Sequence, residues 1–350
     1  MSGPTWLTKR TSTLVVLAGA LVACDGHVRA AEPARVLVNE VGLSHAAFGS
    51  PQPRQKWIAE LVADGQGGGV LVALGDGGAR WLDSRGAEVG WREHPKNLRR
   101  LAAVRFRPDE ELTTVGSTDA YGRRLTLLPG SGGPVEIRLA GSGATYANVS
   151  GDNELEIVAH HLDSLLVYDR RGQLLRTIGT GEHVDQIWPV DTADGRYSAL
   201  LVYRYRTRKE GTSLTLLDAD GQTLRAWHEP VSNRYSICRW PSPAPEIIAS
   251  RDDVFTVRAA TTGEVLKRYV VPGSGSYRRV ETGALEGGYH VLLAVTGSCP
   301  SRLLVFDGVD RLVYHEVLGG YATLLVPGGQ APFFYLATGG AIRKYTRQRN

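Results

Sequence analysis

Three groups of side chains in this chain could do chemistry, and each asks for a different ligand. His160, His161 and Asp163 stand together, with His183 and Asp185 a short distance on. Imidazoles and carboxylates at such spacing are a donor set for zinc or copper, provided the segments that carry them meet. Asn148, Ser150, Asp152 and Glu156 fall at positions one, three, five and nine of a loop in which a hard cation such as calcium would take its oxygens. Tyr203, Arg204, Tyr205, Arg206, Arg208 and Lys209 interleave aromatic rings with cations in YRYRTRKEG. An acidic protein patch, a phospholipid headgroup or a glycan is the kind of anionic partner such a segment would take. Each group also has a plain reading: exposed loop histidines, a self-capped hairpin, and a solvated charged turn.

None of these groups identifies a reaction. The chain has no GxSxG elbow, HExxH pair, CxxC or P-loop. His228-Glu229 and His315-Glu316 begin like metalloprotease motifs but lack a second histidine four residues after the first. The expectation is a non-catalytic binding protein. The alternatives are an enzyme whose residues gather from several repeats at a central channel, and a calcium-dependent adhesion module. No cofactor follows from the residues. Calcium is the one ion the 148–156 loop would take.

The elements that must position these groups repeat along the chain. An apolar strand, a tight turn with Asp and Gly, and a second apolar strand recur as ARWLDSRGAEVGW from Ala79, LLVYDRRGQLLRTI from Leu165 and LTLLDADGQTLRAW from Leu214. Further copies are FTVRAATTGEVLKRY from Phe255 and LLVFDGVDRLVYHEV from Leu303, with a degraded one, LTLLPGSGGPVEIRL, from Leu125. Asp supplies an acceptor and Gly a positive φ, which closes a hairpin. Between the hairpins lie near-continuous apolar runs: Val70 to Leu74, Ile157 to Ala159, Ala199 to Tyr203, Ile247 to Ala249 and Val291 to Val295. A strand buried on both faces has that appearance. Copies lie roughly 40 to 50 residues apart, the period of a four-stranded propeller blade.

The expected fold is therefore all-β, a β-propeller of about seven four-stranded blades. Tyr321 to Val326, Phe333 to Thr338 and Ala341 to Thr346 make a last copy short of one strand. Arg35 to Val41 (RVLVNEV) has strand character and stands alone before the first copy. It is expected to complete the last blade and remove a free edge. In a four-stranded blade, the hairpin at 161–164, the connection at 183–185 and the basic hairpin at 204–209 all emerge on one face.

FTVRAATTGEVLKRY and LTLLDADGQTLRAW resemble the strand–turn–strand unit of quinoprotein-like (PQQ-like) propellers. The run GDNELEIV from Gly151, leading into LLVYDRRG, resembles the FG-GAP repeats of integrin-like proteins. The first resemblance implies cofactor-dependent oxidation or an outer-membrane assembly scaffold, the second adhesion through calcium. PQQ itself is not expected. FG-GAP calcium loops carry aspartate at most ligand positions, whereas here Asp152 is the one aspartate of the four.

The N-terminus gives an address. Lys9 and Arg10 precede a short apolar run, Leu14 to Ala23, too short to span a bilayer as a helix. Leu21-Val22-Ala23-Cys24 resembles a lipobox, which would put a lipid on Cys24 at the cleaved end of a signal peptide spanning 1–24. Val28-Arg29-Ala30 offers a second cleavage site, before Ala31, that would leave no lipid. Residues 25–34 read as a linker and 35–350 as one propeller domain. Cys238 and Cys299 would share an oxidising compartment, which permits but does not require a bridge. Net charge is +4, falling close to balance once Lys9 and Arg10 leave, so bulk charge selects no polymer and a nucleic-acid partner is not expected. The expected protein is bacterial and extracytoplasmic. It would be held to the membrane by its lipid, or be periplasmic or secreted, and would engage a protein or envelope component through one loop face of the ring.

Overall fold

In each well-formed copy of the repeat the aspartate closes its own turn. The Asp83 carboxylate accepts the backbone amides of Arg85 and Ala87. Asp169, Asp218 and Asp307 accept the amides two and four residues ahead in the same way. The glycine three residues on has φ of 86° at Gly86, 81° at Gly172 and 84° at Gly221, a region that penalises any residue with a Cβ. These glycines also touch the blade before them. A Cβ on Gly172 would stand 2.3 Å from Ile137, and one on Gly221 2.2 Å from Ile178. In LLVFDGVDR the place is taken by Asp310, at φ 63°, whose carboxylate reaches back to Lys267 Nζ at 3.0 Å and Tyr269 Oη at 2.8 Å on the preceding blade.

The computed structural model describes residues 35–348 except 52–57, 64–69, 75–77, 93–98, 112, 118, 120, 130–132, 192–197, 206–210, 230–233, 239–245, 252–253, 271–276, 297–299 and 328–330. Among these residues the strands form seven antiparallel sheets. Blades 1 to 6 run over 58–92, 99–138, 142–179, 186–229, 234–270 and 277–318, and blade 7 begins at 322. Within each blade consecutive strands pair from first to fourth. The first strands line the inside, where that of blade 7 lies beside that of blade 1, as do those of blades 5 and 6. Phe48, Ile58, Val70, Tyr335 and Ile342 share one buried cluster across the seam between blades 7 and 1, so the ring meets its own beginning.

The apolar runs are the second strands. Ile157, Val158 and Ala159, and likewise Val291 to Ala294, are fully buried, because each is covered by a neighbouring sheet on both sides. Val158 and Leu200 pack together between blades 3 and 4, Leu292 and Phe255 between blades 5 and 6. The core is thus a series of layers between blades, each burying apolar area that a lone sheet would leave in water.

Closure comes from the N-terminal segment, though not from the strand that the sequence suggests. β1 (Arg35–Asn39) adds to the outer edge of blade 6 as a fifth strand, pairing with Leu312–Leu318. β2 (Leu43–Ala47) is the fourth strand of blade 7, its residues running antiparallel to Arg343–Arg347. The turn between them is clasped by Asn39, whose side chain donates to Leu43 O and accepts from Leu43 N.

The outer strand of blade 6 carries two buried polar side chains, Glu316 on the side of blade 7 and His315 on the opposite side. Glu316 receives the hydroxyls of Tyr314 at 2.7 Å and Tyr345 at 2.8 Å, so blade 7 is tied to blade 6 through one carboxylate. His315, also buried, accepts a hydrogen bond from Arg302 Nη1 at 3.1 Å. Burial, and then the Arg302 charge, bring its pKa down from 6.5 to about 4. The folded ring is therefore neutral where the unfolded chain takes a proton. Stability is unaffected above about pH 6.5, falls on acidification, and levels off below about pH 4. The loss amounts to about 3 kcal/mol. Urea titrations of wild type and His315→Gln should diverge by that order between pH 7 and pH 4, with the variant the less acid-sensitive. Parallel pH profiles would remove His315 from this account.

A candidate binding site on the upper face

Up-and-down pairing gives the ring two faces. The upper one carries the hairpins between second and third strands and the connections from blade to blade. The lower one carries the Asp–Gly turns and the loops between first and second strands.

On the upper face, Asp119 builds a turn outside the repeating series. Its carboxylate accepts the amides of Tyr121 at 3.0 Å and Arg123 at 2.9 Å. The Tyr121 carbonyl in turn receives Gly143 N from blade 3. This fixes Tyr121 with its ring 66% exposed and the Arg123 guanidinium 5.3 Å from its centroid. Gly143, at φ +62°, lies under the His160 imidazole: a Cβ there would stand 2.5 Å from Nε2. On blade 4, Trp188 packs edge-on against Tyr203 with centroids 6.0 Å apart, and Gln186 pairs with Tyr203 across the strands. Tyr121, His160, Asp185, Gln186 and Trp188 border one cavity of about 470 Å³, floored by residues 142–145. Its size is that of a small-ligand or side-chain pocket. Three blades contribute to it, held together by the core layers between them.

The structure brings together the backbones of the histidine groups and separates their side chains. Thr180 N donates to Asp163 O and Val184 N to Leu162 O, so the hairpin and the connection converge as expected. His160 turns to the cavity, His161 is exposed, and His183 Nε2 lies 3.8 Å from Asp185 Oδ1. Among the described residues no three His, Cys, Asp or Glu side chains gather where a metal ion could sit. The expected zinc or copper set is corrected accordingly: strand alternation sends His160 and His161 to opposite sides.

The 148–156 loop lies on the lower face and closes on itself. Glu156, buried, accepts Val149 N at 2.7 Å and Ser150 N at 3.1 Å. Asn148 Oδ1 accepts Gly151 N, and Asp152 Oδ1 accepts Glu154 N. Asn148, Asp152 and Glu156, three of the four residues expected to ligate calcium, have side-chain oxygens engaged with amides.

Of the expected cationic cluster, Tyr203 and Arg204 belong to the second strand of blade 4 and turn inward. Arg204, 6% exposed, donates to Thr215 Oγ1 at 2.7 Å and Thr180 O at 3.0 Å, with Glu182 3.8 Å from its Nε. It braces the connection that forms one wall of the cavity and is not presented to a partner. The Tyr205 side chain and Arg206, Arg208 and Lys209 lie outside the described residues, as do Cys24, the leader and the thiols of Cys238 and Cys299.

Sequence reading missed Tyr121, Gln186 and Trp188. The one signal for them was a second Asp-x-x-Gly turn, Asp119 to Gly122, placed where the repeat has no such turn.

These observations define a seven-bladed β-propeller with a cavity set between blades on its upper face. No known protein family and no curated protein matches the chain. Solved structures do. The Pan2 WD40 domain of Neurospora crassa is 12% identical with a TM-score of 0.56, the match covering 89% of this chain and 97% of that one. BBS1N, in complex with ARL6DN, is similar at 12% identity and a TM-score of 0.60, over 89% of this chain and 99% of that one. At such identity the likeness is one of fold.

Proposed function

We propose that this chain is an exported, non-catalytic binding scaffold, held at the membrane by a lipid on Cys24, that takes a protein or envelope component on its upper face. The cavity bordered by Tyr121, His160 and Trp188 carries the reading. An exposed tyrosine and a half-buried tryptophan beside a few polar groups, held on rigid sheets, are what binding hot spots are made of. BBS1N, similar in fold, is in a complex with ARL6DN, which is the role proposed here for a different partner. The basic residues Arg206, Arg208 and Lys209 follow the upper-face end of a blade 4 strand and favour an acidic partner. The leader and the Leu-Val-Ala-Cys motif support the anchor.

A photo-crosslinking side chain at position 121 should capture a discrete partner in intact cells. The same group at Val309, 82% exposed on the lower face, should not. Equal capture at both positions, or none at 121, would refute the upper-face assignment. Mass analysis of the mature N-terminus tests the anchor separately: an acylated Cys24 is expected, and an unmodified Ala31 would remove it.

A further inference from the structure

A second cavity, of about 450 Å³, opens on the lower face where blades 6 and 7 meet the turn between β1 and β2. We infer that it binds an amphipathic anion, a hydrocarbon chain ending in a carboxylate or phosphate ester. The site is separate from the upper-face cavity and does not depend on the reading given above.

Its wall is apolar and built in. Leu43, Leu285, Val305 and Phe334 border it, and all four are buried members of the core layer between blades 6 and 7. A hydrocarbon chain against them leaves water. The lining carries one guanidinium, Arg347, and two carboxylates, Glu40 and Glu286. Arg347 lies over the Tyr289 ring at 4.7 Å from its centroid. Gly287, at φ +82°, leaves room for it: a Cβ there would stand 2.8 Å from Arg347 Nη1. Among the described residues no carboxylate stands within ion-pair distance of Arg347. Glu40, at the same mouth, is drawn to Arg311 at 3.6 Å. A planar cation with free donors, fixed on an aromatic face above an apolar wall, matches a carboxylate or phosphate oxygen pair at the end of an alkyl chain.

The walls come from both strands that close the ring: Leu43 begins the closing strand, and Arg347 ends the one it pairs with. A bound molecule would therefore join the seam and raise the melting temperature as it saturates.

The test uses the full mature chain and eight-carbon probes, short enough to stay monomeric. Octanoate and octyl phosphate should each raise the melting temperature in a saturable way, octanol less, and octylamine not at all. Their ranking identifies the head group: octanoate ahead points to free fatty acids, octyl phosphate ahead to phosphate-ester lipids. Arg347→Gln, an exposed substitution that leaves the core intact, should weaken both anions by about tenfold and leave octanol unchanged. Val41→Trp, which places an indole at the cavity, should abolish binding of all three while the chain still melts cooperatively. Equal shifts from octanoate and octylamine, no shift from either anion, or wild-type anion binding by Arg347→Gln would overturn the proposal.

Discussion

A chain that starts at Phe48 should fail to melt cooperatively, whereas one that starts at Gly42 should keep a single sharp transition. The first deletion removes β2. Blade 7 would then expose the backbone edge of Ala341–Arg347, and Tyr345, fully buried, would lose the His45 ring that lies 5.0 Å from its own. A free edge and an opened layer at the one point where the ring closes affect both neighbouring blades. The second deletion removes β1, whose apolar side chains are half open to water, Val36 at 37% and Leu37 at 40%, together with Glu40 and the half-buried Val41. Its loss forfeits edge hydrogen bonds and little burial. The midpoint should fall by several degrees, at about 2–4 °C for each kcal/mol. Circular dichroism melts of the two truncations decide the matter. Closure by β2 would be falsified if the longer deletion melted like the shorter one.

Replacing Glu316 with alanine should cost about 3–5 kcal/mol, the scale for breaking a buried, hydrogen-bonded charged group. Glu316 is 1% exposed and is the shared acceptor for Tyr314 and Tyr345, with Arg343 Nη1 3.6 Å away. Burial, and then the Glu316 charge, push the ionisation of both phenols well above the ordinary range, so they remain donors at any pH the fold survives. In the alanine variant both hydroxyls would be buried with that acceptor gone, which is what makes the loss large. Glu316→Gln keeps an acceptor oxygen and should recover part of the stability, and Tyr345→Phe should cost only about 1 kcal/mol. Urea unfolding of the three variants tests the order. An alanine variant no weaker than the phenylalanine one would mean that the carboxylate does not hold the seam.

Much of this ring is legible in the residues. Asp–Gly turns and doubly covered second strands are local patterns with a direct physical cause, and both appear where the sequence puts them. The closing strand is not legible. LSHAA has one buried side chain, Leu43, and is extended because Arg343–Arg347 offers it a backbone partner. Side-chain periodicity reports burial and is blind to pairing of that kind. RVLVN looks more like a closing strand and sits on the outside. His315 and Glu316 read as a broken metalloprotease motif. Alternation on one strand sends them to opposite sides, and Glu316 is buried against an aromatic partner, Tyr345, that arrives from the last blade. The upper-face cavity was half visible, through His160 and Asp185. Tyr121 and Trp188 come to it from other blades, and no spacing along the chain encodes that meeting.

The turn glycines give the ring a sense of rotation. Gly172 rests on Ile137, Gly221 on Ile178, and Gly86 of blade 1 comes against Gly49, just past the end of blade 7. In each of these three cases a sheet is the seat for the hairpin of the one after it. At these points on the lower rim the gap between neighbours is set by a missing methyl group, which gauges the angular step between them.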